Sequence, residues 1–284
     1  MSVPLIDIHS HVLPAVDDGA ADLDEALRAL GALEAQGVRR VVATPHFRAS
    51  LLERPARAEA RLALFDEAYE TLVDAVAGTG LEIGIGRACE FKLDAPIADL
   101  ADPRLRLDGT RHALVEFGAF QLPPFAGNQL KAVRDAGWVP VLAHPERYFG
   151  IERAFDRVGQ WVADGTLLQV NARSLAGGYG TGARDAAIEL LAHGWVTCIA
   201  SDYHSRGRPE WPDALELLAT ARRVDEHGAA SGPRAELDPK TGDWVRRLVH
   251  DNPARLLADE APDAVAPRRV DPATGGAGRT RSWL

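Results

Sequence analysis

The chain has 284 residues and a mass of 30.6 kDa, with 41 acidic against 32 basic side chains and a formal net charge of −9. This length allows one large domain or two small ones, and a hydrophobic fraction of 46% is ordinary for a globular protein. The acidic balance argues against a protein that binds nucleic acid or an anionic membrane surface, because either would require a basic face.

No targeting or membrane segment is evident. No apolar run approaches the roughly 20 residues of a spanning helix, and the N-terminal sequence MSVPLIDIHSH lacks the basic and apolar regions of a signal peptide. We therefore expect a cytoplasmic protein without direct membrane insertion. The two cysteines, Cys89 and Cys198, are too few for a disulfide framework. Neither is followed by the arginine that closes the phosphate loop of cysteine phosphatases, so we expect both to be small buried hydrophobes.

Strand-like and helix-like segments alternate along the chain. Short apolar runs predict seven strands, at 4–8, 38–43, 81–85, 113–117, 139–143, 167–170 and 196–200. Helical spacing of apolar residues predicts helices at 22–36, 54–76, 126–136, 150–164, 181–193, 211–226 and 241–258. Asp22 or Asp24 is placed to cap the first helix, and Gly37 to end it. Repeated βα units imply a parallel sheet with helices outside.

The strand count favours an α/β fold in the form of a closed or nearly closed barrel of seven βα units. Strands this apolar are usually buried on both faces, and no linker rich in Pro, Gly and Ser interrupts the first 260 residues. We therefore predict a single barrel domain over residues 1–260, with a doubly wound open sheet as the alternative. Residues 261–284 are rich in Pro, Gly and Ala, which predicts a flexible C-terminal tail.

Most of the predicted strands end in a residue that can bind a metal ion. Five of the nine histidines and four acids lie at or just after these ends: His9, His11, Asp18, His46, Glu90, Glu116, His144, Asp202 and His204. In a βα barrel this rim carries the active site. A single histidine here is more often an ordinary polar residue, and it is the joint placement that indicates a metal cluster. Nitrogen and oxygen ligands without cysteine suit Zn, Mn or Fe, and carboxylates can bridge two or three such ions.

Seven segments carry a family resemblance: DIHSHVLPAVDDGA, GVRRVVATPHF, ACEFKLD, ALVEF, VLAHPERY, LLQVNARSLAGGYG and CIASDYH. In this order, over about residues 5 to 208, the chain resembles the PHP (polymerase and histidinol phosphatase) family. Within it, the chain is most similar to the bacterial metal-dependent protein-tyrosine phosphatases of capsule and exopolysaccharide gene clusters, the CpsB/YwqE type. The resemblance implies a distorted (βα)7 TIM-like barrel of the PHP type with a cluster of two or three metal ions.

The resemblance also implies an assignment of ligands to ions. The first ion would take His9, His11, Glu90 and Asp202. The second would take Asp18, His46 and His204. The third would take Glu116 and His144, with Glu90 bridging. Glu116 favours the tyrosine phosphatase branch, because many other PHP proteins have a histidine at that step. Cys89 is a departure, since relatives usually have a polar residue before the glutamate.

The expected chemistry is hydrolysis of a phosphate monoester. Bound ions can lower the pKa of water to about 7, so we predict in-line attack by a metal-bridging hydroxide without a phosphoenzyme. Phenolate, whose conjugate acid has a pKa of about 10, is a fair leaving group that needs little protonation. Asp202 or His204 is the candidate general acid.

Arginines follow the predicted ligands at two places. Arg147 stands in the segment HPER, and Arg206 and Arg208 follow the last ligand. We predict that all three bind the phosphate, and that Arg147 is also catalytic; the alternative is an ordinary solvated arginine. Tyr148 and Phe149 either stack on an aromatic substrate or pack in the core.

Several functions remain open. The nearest alternative to the tyrosine phosphatase is a histidinol-phosphate phosphatase or another PHP phosphoesterase. An amidohydrolase, a PHP exonuclease and a non-catalytic metal-stabilised scaffold fit less well. Amidohydrolases usually carry a lysine where Glu116 stands. The acidic net charge argues against an exonuclease that binds DNA. A non-catalytic scaffold should have lost ligands, whereas all nine ligand positions are filled here. The resemblance implies that the substrate is phosphotyrosine on the tail of a membrane-associated bacterial tyrosine kinase, in the control of polysaccharide synthesis.

Overall fold

The computed structural model describes residues 3–96, 100–223 and 240–271, which form a mixed α/β fold. The strands are β1 (Leu5–Ser10), β2 (Val38–Ala43), β3 (His46–Arg48), β4 (Gly84–Arg87), β5 (Glu90–Lys92), β6 (His112–Glu116), β7 (Val139–Ala143), β8 (Leu167–Asn171), β9 (Val196–Ala200), β10 (Arg222–Arg223) and β11 (Arg268–Arg269). The helices are α1 (Leu23–Ala35), α2 (Pro55–Ala77), α3 (Ala126–Asp135), α4 (Phe155–Ala163), α5 (Ala172–Leu175), α6 (Thr181–Ala192), α7 (Trp211–Ala219), α8 (Thr241–Arg246) and α9 (Asn252–Leu257).

Two parallel sheets contain β1 to β9. One has the order β1-β2-β4 and the other the order β3-β5-β6-β7-β8-β9. Thr44 and Pro45 separate β2 from β3, where the proline lacks the N–H that a ladder needs. Each of the seven predicted strands overlaps one of the observed strands, and the parallel arrangement of the sheet is confirmed.

The strand β1 has a neighbour on each side. It pairs with β2 in parallel, and beyond β9 an isolated parallel bridge joins Ser10 to Tyr203. Two backbone hydrogen bonds accompany this bridge: the N–H of His11 donates to the Tyr203 carbonyl at 2.9 Å, and the N–H of Asp202 donates to the His9 carbonyl at 2.9 Å. The ends of β1 and β9 are therefore tied together beside the predicted metal ligands.

The helix α1 begins and ends where the sequence predicts. Asp22 is its N-cap, and the Asp22 carboxylate accepts a hydrogen bond from the backbone N–H of Glu25 at 2.8 Å. Gly37 follows the helix with φ of 95°, a left-handed conformation that glycine adopts readily. The helix α7 ends at Ala219, earlier than predicted, because the chain turns to pair Arg222 and Arg223 with β11. Residues 224–226 of that predicted helix lie outside the described residues.

The apolar core has two parts. The larger packs the strands against the surrounding helices and contains Cys89. The smaller joins side chains of β1, β2, β6, β7 and β9, including Cys198, and is completed by Leu256 of α9. Both cysteines are buried and unpaired, and burial raises the pKa of each thiol, which confirms that they are small core residues.

The described part of the predicted tail, residues 261–271, packs on the domain. Val265 and Val270 are buried, and Arg268–Arg269 forms β11 against β10. Residues 272–284 lie outside the described residues, so a flexible tail there stays a prediction. None of the helices in the described ranges combines the length and apolar character needed to cross a membrane.

Candidate metal centre

His9 and His11 lie at the end of β1 with fully buried side chains. Nδ1 of His9 is 2.8 Å from Oε1 of Gln169, and Nδ1 of His11 is 2.8 Å from Oδ2 of Asp17. Because these oxygens accept hydrogen bonds, each Nδ1 carries the proton, and in the neutral ring each Nε2 keeps a free lone pair. The two Nε2 atoms are 3.3 Å apart, so both rings direct their free nitrogens to one place.

Glu90, the first residue of β5, lies at the middle of the centre. Its Oε2 is 3.3 Å from Nε2 of both His9 and His11 and 2.9 Å from Nδ1 of His46, and its Oε1 is 2.8 Å from Nε2 of His144. Burial raises the pKa of Glu90, but the charge of His9 and the contacts of the other imidazoles hold it well below its ordinary value. This carboxylate is therefore ionised and shared among four imidazoles.

Asp202 follows β9 and faces the same two histidines of β1. Its Oδ1 is 3.4 Å from Nε2 of His9 and 3.5 Å from Nε2 of His11. Its Oδ2 accepts hydrogen bonds from Arg147 at 2.6 Å and from the Asn171 amide at 2.8 Å. Burial raises the pKa of this carboxyl, and the neighbouring histidines lower it further than burial raises it. Asp202 thus presents one oxygen to the centre while the other is held in place.

Asp18, His46 and His204 form the more open side of the centre. Oδ1 of Asp18 is 3.4 Å from Nε2 of His46 and 3.5 Å from Nε2 of His204. The rings of His204 and His11 are stacked with centroids 3.9 Å apart. The Asp18 side chain is 60% exposed, so this side of the centre is reached from solvent.

Glu116 and His144 each have a ligand atom close to Glu90. Oε1 of Glu116 is 3.5 Å from Nδ1 of His46 and 3.4 Å from Nζ of Lys92. Burial, together with the charge of Glu90, raises the pKa of Glu116. Two carboxylates this close to each other need positive charge between them.

Several buried atoms of the centre make no hydrogen bond of good geometry, although some of them lie close to other charged atoms of the centre. These atoms are Nδ1 of His46, Oε2 of Glu90, Oε1 of Glu116 and Nδ1 of His144. Buried polar atoms without a partner are costly unless an ion or water satisfies them. The donor set, imidazole nitrogens and carboxylate oxygens within a few ångströms, fits Zn, Mn or Fe.

The described chain contains four groups of possible ligands, and within each group the ligand atoms lie within 4.8 Å of one another. They are His11, Asp18, His46 and His204; His9, Glu90 and His144; His9, His11 and Asp202; and His46, Glu90 and Glu116. The structure therefore brings all nine predicted ligands together. The second predicted set is gathered with His11 added. The first and the third sets are divided. Glu90 is not in the group of His9, His11 and Asp202, and it meets His144 in one group and Glu116 in another.

A cavity of about 460 Å³ opens above these groups, and the three predicted arginines line it. Arg147 donates to Asp202 and lies between two rings, 4.2 Å from the centroid of Phe120 and 3.9 Å from that of Tyr179. Arg206 donates to the backbone carbonyl of Asp18 at 3.1 Å.

The third arginine, Arg208, is 62% exposed and pairs with Asp213 at 2.7 Å. Arg147 is thus the arginine most firmly fixed at the centre. Of the two aromatic residues that follow it, Tyr148 is buried and its hydroxyl accepts a hydrogen bond from the backbone N–H of Phe117, so this ring packs in the core.

Sequence reasoning missed several residues of the site. Asp17 and Gln169 fix the two histidines of β1, and Arg173 and Tyr179 line the cavity. Gln169 had a usable signal, since it is an amide inside the apolar run predicted at 167–170 and such a residue needs a partner when buried. No pattern in the sequence distinguishes Asp17 from Asp18.

Comparison with known proteins extends over most of the chain. The family described as "Capsular polysaccharide synthesis, CpsB/CapC" matches residues 5–229. Tyrosine-protein phosphatase YwqE of Bacillus subtilis is 29% identical over 203 residues, which are 71% of this chain and 78% of that protein. Tyrosine-protein phosphatase CpsB of Streptococcus pneumoniae is 29% identical over 266 residues, which are 90% of this chain and 99% of that protein.

A solved structure agrees with the sequence comparison. It belongs to the crystal structures of YwqE from Bacillus subtilis and CpsB from Streptococcus pneumoniae, described as unique metal-dependent tyrosine phosphatases. The similarity has a TM-score of 0.72 at 25% identity and covers 94% of this chain and 100% of the other.

Proposed function

Because this chain belongs to the CpsB/CapC family of capsular polysaccharide synthesis proteins, we propose that it is a metal-dependent phosphomonoesterase that hydrolyses phosphotyrosine in proteins. One observation carries the proposal: nine side chains with nitrogen and oxygen ligand atoms, Glu90 among them, gather beside a cavity that is lined by arginine. With its metal ions bound, such a site would be locally positive despite the acidic chain and would suit a dianionic phosphate.

Two or three metal ions of Mn, Fe or Zn would be held by the nine converging side chains. Their unpartnered buried atoms and their close carboxylates support this. When bound, the ions would neutralise the phosphoryl oxygens and provide a bridging hydroxide for in-line attack. The protein's own contribution is to fix the imidazole nitrogens through Gln169 and Asp17.

The side chains around the cavity would bind the phosphate and handle the proton. Arg147 can offer the forked guanidinium contact that phosphate favours, and Arg206 and Arg208 lie further along the same cavity. Asp202 and His204 are the candidate general acids. The neighbouring histidines lower the pKa of Asp202, and burial and the charge of His11 lower that of His204, which suits a phenolate leaving group that needs little protonation. His204 lies on the open side of the centre, where a leaving phenolate would emerge, and its Nδ1 faces the Asp202 backbone carbonyl at 2.9 Å.

We also propose that β1 to β9 form the distorted seven-unit barrel that the resemblance implies. Three observations support closure: β1 pairs with β2, the bridge beyond β9 returns to Ser10, and one buried cluster joins side chains of five strands. The domain would span residues 1–260, and residues 261–271 would complete its core through Val265 and Val270.

The proposed physiological substrate is phosphotyrosine on the tail of a membrane-associated bacterial tyrosine kinase, in the cytoplasm, with a role in capsule or exopolysaccharide production. The names of the relatives support a phosphotyrosine protein and a link to capsule synthesis. The kinase as partner rests on the family resemblance. A histidinol-phosphate phosphatase is the alternative that an assay must separate.

The deciding experiment is a substrate panel on metal-loaded protein. We expect faster hydrolysis of a phosphotyrosine peptide than of phosphoserine or histidinol phosphate, and loss of activity in His9→Ala and His11→Ala together with bound metal measured by elemental analysis. His193→Ala, at an exposed histidine away from the centre, is the matched control. A preference for histidinol phosphate would overturn the substrate, and activity that persists after loss of the metal would overturn the mechanism.

A further inference from the structure

A second depression of the surface lies beside the catalytic cavity. We call it the aromatic groove; its volume is about 540 Å³, and it is lined by Phe120, Tyr148, Phe149, Ile151, Tyr179 and Gly182 among others. It shares Phe120, Arg147 and Tyr179 with the catalytic cavity. The two depressions therefore meet along the pair of rings that enclose the Arg147 guanidinium.

Phe149 is the most exposed large apolar side chain of the described residues, at 77%. Its backbone is nonetheless fixed, since its N–H donates to the Phe120 carbonyl at 2.9 Å and it forms a parallel bridge with Gln121. Ile151 and Tyr148, which also line the groove, have almost no exposure. An exposed ring held on a rigid backbone beside a cavity is typical of a binding surface.

The charge of the groove restricts what it can bind. The Glu146 carboxylate is turned inward and accepts a hydrogen bond from Ser174 at 2.6 Å, and the Arg147 guanidinium is directed to Asp202. The exposed Glu152 side chain stands at the edge. The walls between these charges are apolar, so they fit an uncharged apolar or aromatic side chain.

We propose that the aromatic groove binds an apolar or aromatic side chain that flanks the phosphotyrosine of a protein substrate. This rests on the proposed function, because the phosphotyrosine must occupy the adjoining cavity for its neighbour in the peptide to reach the groove. The shared rim supports this occupant: a chain leaving the cavity over Phe120 and Tyr179 enters the groove directly. Peptide-binding clefts commonly recognise a substrate in this way, with adjoining pockets that each bind one side chain of the same peptide.

The test compares two phosphotyrosine peptides of equal length, one with leucine and one with glycine at the positions flanking the phosphotyrosine. The control substrate is para-nitrophenyl phosphate, which is too small to reach the groove. Partial burial of one leucine gives an expected preference of about tenfold in kcat/KM for the leucine peptide. In Phe149→Ala this preference should fall to near equality, while hydrolysis of para-nitrophenyl phosphate is unchanged.

Two further variants separate the groove from general effects of substitution. Phe125→Ala removes another exposed phenylalanine, 55% exposed, that does not line the groove, and it should keep the preference. Gly182 lines the groove and has room for a Cβ, so Gly182→Phe places a ring in this lining and should abolish the preference.

The outcomes distinguish this proposal from the proposed function. If the protein hydrolyses para-nitrophenyl phosphate and also hydrolyses the leucine and glycine peptides at the same rate as each other, the groove proposal alone is overturned. Absence of activity on all three substrates would show that the phosphatase function itself fails. A change of oligomeric state in Phe149→Ala with an unaltered peptide preference would assign the groove to a second copy of the chain and overturn our proposal.

Discussion

The centre depends on how single side chains are held. Glu90 contacts four imidazoles, yet each of the two histidines on β1 also has an acceptor outside the centre that fixes its ring. Gln169 belongs to a longer chain of hydrogen bonds, because its amide donates to Asn171 and Asn171 donates to Asp202 at 2.8 Å. The same network therefore orients ligands on β1 and after β9.

Replacement of Gln169 by methionine should weaken metal binding. The change keeps the length of the side chain but removes the acceptor for Nδ1 of His9, so the ring loses its fixed tautomer. We expect metal affinity to fall about 10- to 100-fold, as for other outer partners of ligating histidines. Competition with a chromophoric chelator measures this. Gln160→Met, at an exposed helix position, is the control, and equal affinities in both variants would contradict the role given to Gln169.

The charge of the histidines predicts how stability changes with pH. Burial lowers the pKa of His9, but Glu90 and Asp202 outweigh it and raise the pKa from its ordinary value of 6.5 to about 9. A histidine with a raised folded-state pKa stabilises the fold below its unfolded value, and this is lost as the pH rises through the folded value. Chelator-treated protein should therefore lose stability between pH 6.5 and about 9.

Metal-loaded protein should behave differently over the same range, because ligating imidazoles are already deprotonated. Thermal unfolding of the two preparations at several pH values checks this. Parallel changes of the two midpoints would show that the histidines of the centre do not carry the effect.

At the scale of elements, the ligands come from the ends of parallel strands, where the backbone leaves the ladder. His144 after β7 and Asp202 after β9 both have left-handed backbone, with φ of 35° and 51°. Such conformations are unfavourable for residues other than glycine and persist where surrounding contacts hold them. The loop after β1 also restricts which residue can stand at position 19. A Cβ at Gly19 would collide with the backbone carbonyl of His11.

Gly19→Ala should therefore disturb the loop that carries Asp17 and Asp18. The His11 carbonyl also accepts the N–H of Ala20 at 3.2 Å, so the backbone has little room to move. We expect a loss of about 1–3 kcal/mol in the free energy of unfolding, together with reduced metal content. Gly182→Ala is the matched control because its Cβ meets open space. Urea unfolding and elemental analysis are the measurements, and an unchanged Gly19→Ala protein would refute the steric argument.

At the scale of the whole molecule, the charge of the protein depends on its ions. The formal charge of −9 includes four carboxylates of the centre, and three divalent ions would bring it to −9 + 6 = −3. The domain is also completed by a segment far along the chain. The indole N–H of Trp244 donates to the Ala266 carbonyl at 2.9 Å, and the backbone N–H of Asp263 donates to the Asn252 side chain at 2.8 Å.

Removal of residues 261–284 should destabilise the domain. Val265 and Val270 are buried, and each contributes about 1.5–3 kcal/mol when fully buried. A chain that ends at Asp271 keeps both valines and is the control. We expect a lower urea midpoint for the chain that ends at Glu260 than for this control. Equal midpoints would mean that the packed segment adds nothing to stability.

The sequence alone determined seven segments that each overlap a parallel strand, the start of α1 at Asp22 or Asp24, and the nine residues that meet at the centre, because strand periodicity and strand-end position are local properties of the chain. It also argued against the thiolate chemistry of cysteine phosphatases, since neither Cys89 nor Cys198 is followed by the required arginine. Only the tertiary structure decided that Gln169 and Asp17 hold the histidines, that Glu90 is shared by four imidazoles, and that Phe120 and Tyr179 enclose Arg147. These contacts join residues up to 160 positions apart. No local pattern encodes which of many buried polar side chains will face one another once the strands are assembled.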